Sequence, residues 1–212
     1  MPAPSASLDA RPAYHHGDLR RALVDAALAL LAEEQDWGFS LREVARRAGV
    51  SHNAPYNHFA DKRDLLAAVA AAGFESLRAR MLAAAADAGA AESALVAIGV
   101  AYVRFGTENP AHYRLMFGPA LVTAGQCKPT ALAEAAAGAK AVLGEVVLRG
   151  AREGRFAAPP DDQAAMDLSV LSAWSIVHGL TMLAIDGLAG CDAPSPIPDR
   201  VARVLLDGIR KR

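Results

Sequence analysis

Residues 40–61, SLREVARRAGVSHNAPYNHFAD, constrain the fold more than any other stretch, because two helix starts and the turn between them are written into it. Ser40 and Glu43 have the S-x-x-E spacing of a capping box. There the serine oxygen accepts from the amide of residue 43 while the glutamate reaches back to the amide of residue 40. Phe39 and Val44 flank that cap as a hydrophobic staple. Leu41, Val44, Ala45 and Ala48 fall on one helical stripe. Gly49 stands where a left-handed residue ends a helix at little cost, and Ser51 is placed to cap a second short helix. Two short helices joined by a glycine turn form the unit that sets its second helix in the DNA major groove.

A plain helical hairpin would share this turn, so the side chains have to decide. Segment 40–63 carries Arg42, Arg46, Arg47, Lys62 and Arg63 against Glu43 and Asp61. The second helix offers His52, Asn53, Tyr56, Asn57 and His58, groups that reach phosphates or base edges. Only Ala54, Tyr56 and Phe59 supply it with a buried side. The segment therefore reads as a DNA-binding element. Its expected contact set is Ser40, Arg42, Ser51, His52, Asn53, Tyr56, Asn57, His58 and Lys62. His52, Asn53 and Asn57 are assigned to base edges, and Ser40, Ser51, Tyr56, His58 and Lys62 to phosphates. Lys62 gains from the first turn of the next helix, whose amides also favour an anion.

Residues 14–72 resemble the DNA-binding domain of the TetR/AcrR family of one-component transcriptional regulators. The resemblance is carried by YHHGDLR (14–20), a helix ending in LLAEE, FSLREVARRAGVS, the Tyr56, His58, Phe59 element and DKRDLL (61–66). Pro55 departs from the family pattern, which often has Leu or Ile there. It also lacks the amide that would bond the Ser51 carbonyl, so Ser51 and Asn53 compete as the cap of the recognition helix.

The chain has 212 residues, a formal charge of −1 and a pI of about 6.6, so no global basic signature marks it. The case for DNA rests on where the charge sits, since Asp25, Glu33, Glu34 and Asp36 lie away from the basic segment. Cys127 and Cys191 are too few for a disulfide framework, and no Cys/His cluster has zinc spacing. No basic start followed by an apolar run suggests a signal peptide. Residues 168–185 lack Asp, Glu, Lys and Arg, which is the length of a membrane span. Ser169, Ser172, Ser175, His178, Gly179 and Thr181 make that stretch too polar for lipid on every side, so a buried helix of a cytoplasmic protein is expected, with no membrane partner.

Along the chain, residues 1–13 are rich in Pro, Ala and Ser and read as a disordered arm. Asp18 is placed to cap a first amphipathic helix with Leu19, Ala22, Leu23, Ala26, Ala27, Leu30 and Leu31 on its apolar face. Asp61 opens a helix that runs to about residue 86, with Gly89 beyond its end. Further helices are expected at about 92–107, 110–117, 130–153, 162–189 and 198–210. Breaks fall at Gly118 to Pro129, at AAPPDD (157–162) and in a Pro-rich loop at 194–198. No alternating strand pattern occurs. The expected fold is all-α with nine helices: a helix-turn-helix domain at 14–60, then a helical ligand-binding and dimerisation domain at 61–212.

AYVRFGTENPAHYRLMF (101–117) and AWSIVHGL (173–180) are similar to the C-terminal subgroup named for Trp-His-Gly, here Trp174, His178 and Gly179. The resemblance implies a homodimer joined through its last two helices, with a small-molecule pocket enclosed by the middle ones. Trp174 and His178 stack one turn apart, with Met182 a turn further on, and Tyr102, Phe105, Tyr113, Met116 and Phe117 lie in the preceding helices. These eight are the best suppliers of an apolar effector site, although core packing explains such a pattern equally simply. No catalytic motif is present, so no catalytic residues, cofactor or metal are expected. The reading is a repressor released from a palindromic double-stranded DNA operator by a small hydrophobic effector. An architectural DNA-binding protein without an effector is the alternative; a helical small-molecule binder or enzyme is the remaining one.

Overall fold

The computed structural model describes residues 16–121, 130–189 and 197–210. The expected N-terminal arm, both cysteines, Gly125, Pro129 and most of the Pro-rich loop lie outside these residues. Eight α-helices make up the described chain, with no strand among the described residues beyond an isolated bridge between Phe156 and Arg210. They are α1 (His16–Glu34), α2 (Leu41–Arg47), α3 (Lys62–Asp87), α4 (Ala91–Glu108), α5 (Pro110–Phe117), α6 (Thr130–Arg152), α7 (Gln163–Ile185) and α8 (Ile197–Ile209). The ninth expected helix, the recognition helix, is instead a 3-10 turn over Ala54–Asn57. Asp18 lies inside α1 rather than capping it, since the helix already runs from His16.

The signals around α2 are realised atom by atom. The Ser40 amide donates to Glu43 Oε2 at 2.6 Å and the Glu43 amide donates to Ser40 Oγ at 3.3 Å, closing the capping box. Glu43 is held below the usual carboxylate range chiefly by that Ser40 amide. Phe39 and Val44 are both buried, as a staple requires. At the other end Gly49 has φ +70°, its amide bonds the Arg46 carbonyl at 3.2 Å, and the Val50 amide bonds the Ala45 carbonyl at 3.0 Å. These are the paired bonds of a Schellman closure, which needs a left-handed residue at its centre.

Pro55 explains the 3-10 turn. With no proline amide to reach the Ser51 carbonyl, that carbonyl accepts from Ala54 at 2.9 Å, three residues on, and the backbone winds more tightly. Asn53 becomes the residue before the turn, and no side chain caps it. The tighter winding also changes the buried side. Pro55 and Phe59 face the core, while Tyr56, expected to be buried, is 53% exposed.

Asp61 caps α3 as expected, accepting from the Asp64 amide at 2.8 Å. Its 26 residues span roughly 39 Å. Leu65, Leu66 and Val69 near its start join the core of α1 and α2, and Phe74, Leu77 and Met81 further along pack among α4 and α6. Helices α4 and α6 pack along that far half, and α7 and α8 lie against α4. Helix α7 departs from the expected buried helix: it is long and apolar enough to cross a membrane, yet only 22% of its most apolar stretch is buried. Leu168, Leu171, Ile176 and Leu183 stand exposed along it, and Val204 is 73% exposed on α8. A single chain leaves this face without a neighbour.

Helix α4 reaches α7 through a glycine. A Cβ at Gly106 would collide with Thr181 Cγ2 and lie 3.0 Å from the Tyr113 ring. Thr181 is fully buried and stiff, its hydroxyl donating to the Val177 carbonyl at 2.6 Å, so it cannot turn aside cheaply. Gly106→Ala gains about 1 kcal/mol of helix propensity and loses about 1–3 kcal/mol or more to overpacking. A net loss of up to about 2 kcal/mol is expected, read from urea unfolding midpoints, and a variant more stable than the parent would show that the contact relaxes freely.

Candidate functional site

The face around the 3-10 turn gathers most of the expected DNA-contacting residues on one exposed surface. Ser51, His52, Asn53 and Asn57 are exposed and Tyr56 projects from the turn, with His58 half-buried behind them. Ser40 and Arg42 lie exposed at the start of α2. Lys62, in the first turn of α3, rests its ammonium 5.5 Å from the centre of the buried Phe39 ring. That packing fixes the stem and leaves the charge at the edge of the face.

Two of the five basic residues in the segment point elsewhere. Arg47 holds both carboxylate oxygens of Glu33 on α1, a bidentate pair that ties α2 to α1. Arg63 donates to the Leu121 carbonyl at 3.3 Å, on the side of α5. Arg20 was not singled out from the sequence, yet its guanidinium lies 5.0 Å over the Phe59 ring, next to His58. Its place in the YHHGDLR motif was the available signal.

The second site is a cavity of about 340 Å³ between the helices behind α3. Phe74, Leu77 and Met81 from α3 form one wall, and Leu95, Ile98, Gly99 and Tyr102 from α4 another. Phe117 closes one end. The remainder comes from Ala136, Ala137, Ala139, Lys140 and Leu143 on α6, Ala173, Trp174 and Val177 on α7, and Ala202 and Leu205 on α8. A mostly apolar hollow with few polar groups is the usual form of a small-ligand site.

The sequence-derived effector residues divide three ways around it. Tyr102, Phe117 and Trp174 are on the wall. Tyr113 and His178 stand behind the wall as its hydrogen-bond partners. Phe105, Met116 and Met182 lie outside the lining; Met116 packs against Gly73 of α3, and Phe105 faces a separate cleft with Leu28, Leu31 and His112. The walls that α3, α6 and α8 supply were not foreseen, because aliphatic residues at helical spacing look identical whether they meet a neighbour or a void.

Behind the cavity runs a connected polar cluster. The Trp174 indole donates to the Tyr102 hydroxyl at 3.1 Å, and the Tyr113 hydroxyl donates to the same oxygen at 2.9 Å. His178 Nδ1 lies 2.6 Å from the Tyr113 oxygen. The Tyr102 oxygen also lies 3.2 Å from that Nδ1, so the two phenols and the imidazole form one closed set of contacts. Tyr102 accepts from Trp174 and Tyr113, and its own proton can turn to His178 Nδ1 or to an acceptor that enters the cavity. Burial pushes the Tyr102 phenol up to about 12 and raises that of Tyr113 as well, so both remain protonated donors at neutral pH. Burial lowers His178, and also His112, whose Nε2 lies 2.8 Å from the Val69 carbonyl of α3.

The comparisons accord with this geometry. Residues 95–209 match the family model described as the tetracyclin repressor-like C-terminal domain, more than half of the chain. The chain belongs to the TetR family. Residues 23–69 match the model for bacterial regulatory proteins of the tetR family. Over 47 residues the chain is 51% identical to an uncharacterized HTH-type transcriptional regulator of Haemophilus influenzae, a match spanning 22% of this chain and 23% of that relative. A protein of unknown function from Rhodococcus sp. RHA1 has a similar structure, with a TM-score of 0.77 and 31% identity over 95% of this chain and 100% of that one. A TetR-family transcription regulator from Marinobacter aquaeolei aligns at a TM-score of 0.67 and 18% identity, covering 92% and 96% of the two chains. FadR from Bacillus subtilis, solved in complex with stearoyl-CoA, aligns at 0.64 and 16%, covering 89% and 98%. The protein is thus a TetR-family transcriptional regulator of all-α fold, and its relatives are regulators rather than enzymes. Members of the family bind DNA operators and effectors and form dimers.

The two half-buried histidines, His112 and His178, make stability depend on pH. Both have folded pKa values below the ordinary 6.5, so their neutral forms are favoured in the fold. Their contribution is complete above pH 6.5 and is lost as acid takes the protein below that value toward the folded pKa values. Melting temperature should therefore fall on acidification through this window. The fall should be shallower in His178→Gln and shallowest in His112→Gln/His178→Gln. A double variant with the parent's full acid slope would contradict the assignment.

Proposed function

We propose that this regulator is a cytoplasmic repressor that holds a palindromic operator as a homodimer and lets go when an apolar effector fills the cavity. The observation that carries the reading is the course of α3, whose cap begins at the DNA-reading face and whose middle forms the cavity wall. Residues 14–60 act as the reading domain and 61–212 as the sensing and dimerising one. Trp174, His178 and Gly179 support placement in the Trp-His-Gly subgroup, and the stearoyl-CoA seen in FadR supports an apolar effector.

At the operator, the exposed His52, Asn53 and Asn57 of the turn take base edges. Ser40, Arg42, Ser51, Tyr56, His58 and Lys62 surround them and take phosphates. A 3-10 turn presents fewer successive side chains to a groove than an α-helix does, so specificity rests on this short set. Release follows when the effector prefers the dimer whose α3 is tilted away from the DNA-competent spacing, by about 1–3 kcal/mol for ordinary coupling.

Dimerisation uses the bare face of α7 and α8. Leu168, Leu171, Ile176 and Leu183 offer apolar area, and a Cβ at Gly179 or Gly208 would meet nothing, so a second helix pair has room to approach. Two recognition elements about 34 Å apart then face successive major grooves.

Gel shifts and filter binding with DNA flanking its own coding region test the reading. Lys62→Ala should weaken operator and random DNA alike and reduce the salt slope by about one unit. Asn53→Ala should cost about 1–3 kcal/mol at one base pair. Absence of salt-sensitive binding would remove the DNA reading, and binding untouched by any hydrophobic molecule would leave an architectural protein.

For the dimer, the full-length protein should sediment as a dimer at micromolar concentration. Leu171→Asp should sediment as a monomer and lose the operator with it, since a charge on that face stays unpaired against a partner. A monomeric parent would refute the arrangement.

A further inference from the structure

Resting on the reading of the cavity as the effector site, we propose that the effector is an amphipathic anion, an extended apolar body ending in a carboxylate bound by Lys140 and the Tyr102 hydroxyl. Lys140 is the one charged side chain among the described lining residues, and no acidic residue lines the cavity with it. It makes no ion pair or hydrogen bond among the described residues, and its ammonium lies 6.0 Å from the centre of the Trp174 ring. The Trp174 indole donates to Tyr102, so the polar groups of the lining meet in one corner.

Every polar group in that corner is a donor. The ammonium has three N–H groups, the indole proton is already spent on Tyr102, and the Tyr102 hydroxyl, 3.2 Å from His178 Nδ1, can turn its proton to an entering acceptor. An acceptor with two oxygens matches an ammonium and a hydroxyl together, and a charged acceptor bonds them more strongly than a neutral one. A cationic ligand would find aromatic rings here, which often attract cations, but beside an uncompensated lysine and with no carboxylate to offset it. The opposite walls, Phe74, Leu77, Ile98 and Leu205, accept only an apolar body. Lys140 is exposed, which sets it at the cavity mouth, so its attraction is partly screened and the discrimination it gives is moderate.

Full-length Trp37→Phe protein, whose remaining tryptophan is Trp174, supplies the readout at neutral pH. Trp174 emission is titrated with dodecanoate, 1-dodecanol and dodecylammonium, each kept below self-association, and circular dichroism verifies the fold of every variant. Dodecanoate should bind roughly three- to tenfold more tightly than dodecanol, with dodecylammonium weakest and added salt narrowing the gap. Lys140→Met should bind acid and alcohol alike, and Lys140→Glu should prefer the ammonium. Tyr102→Phe should narrow the preference without abolishing it. Equal binding of acid and alcohol by the parent, or a preference that survives in Lys140→Met, overturns the anion while leaving the cavity a ligand site. Failure of all three probes to bind removes the effector reading, and this inference with it.

Discussion

One stiff element has to serve two cores. The first turns of α3 contribute Leu65, Leu66 and Val69 to the packing under the DNA-reading face, and its middle contributes Phe74, Leu77 and Met81 to the cavity. An uninterrupted helix cannot shorten or bend cheaply, so a displacement of its middle must appear as a tilt at its start. Helix α5 reinforces this by packing against both α1 and α3, with His112 bonded to the α3 backbone and Tyr113 and Phe117 turned toward the cavity side. Both the long helix and its short brace therefore feel the same cavity.

The cluster of Trp174, Tyr102, Tyr113 and His178 solves a separate problem. Four polar side chains with large apolar bodies converge where little water enters, and each unsatisfied group there would cost about 1–3 kcal/mol. Chaining them gives each of the four a partner and fixes the ring positions, with Tyr113 edge-on to Tyr102 at 5.9 Å. The cavity wall is thus held in shape before any ligand arrives.

Local features were legible in the sequence because their causes are local. The capping box at Ser40 and Glu43, the Asp61 cap and the left-handed Gly49 each depend on residues within one turn. Pro55 was legible as a disturbance, since a missing amide is a fact about one residue. That it would turn Tyr56 outward was not, because the buried side depends on which helix type the backbone adopts. The cavity was hidden for a different reason. Its wall joins residues as far apart as Phe74 and Leu205, and periodicity reports that a face is apolar without saying what it faces. Met116 and Phe105 pack into neighbouring helices by the same rule that sets Phe117 on the wall. The bare face of α7 was masked likewise, since its composition fits a buried helix equally well.

Helix α6 differs from the other walls in what it carries. It contributes three alanines, Lys140 and Leu143 to the cavity, while its outer residues, among them Ala131, Glu134 and Ala141, are exposed. It holds neither the reading face nor the bare face of α7 and α8. Replacing an alanine there reshapes the hollow without touching the face proposed to read the operator or the one proposed to join two copies. Under the proposed effector reading, divergence among duplicated copies of such a regulator has a path of low resistance, in which chemical sensitivity drifts along α6 while the promoter it governs stays the same.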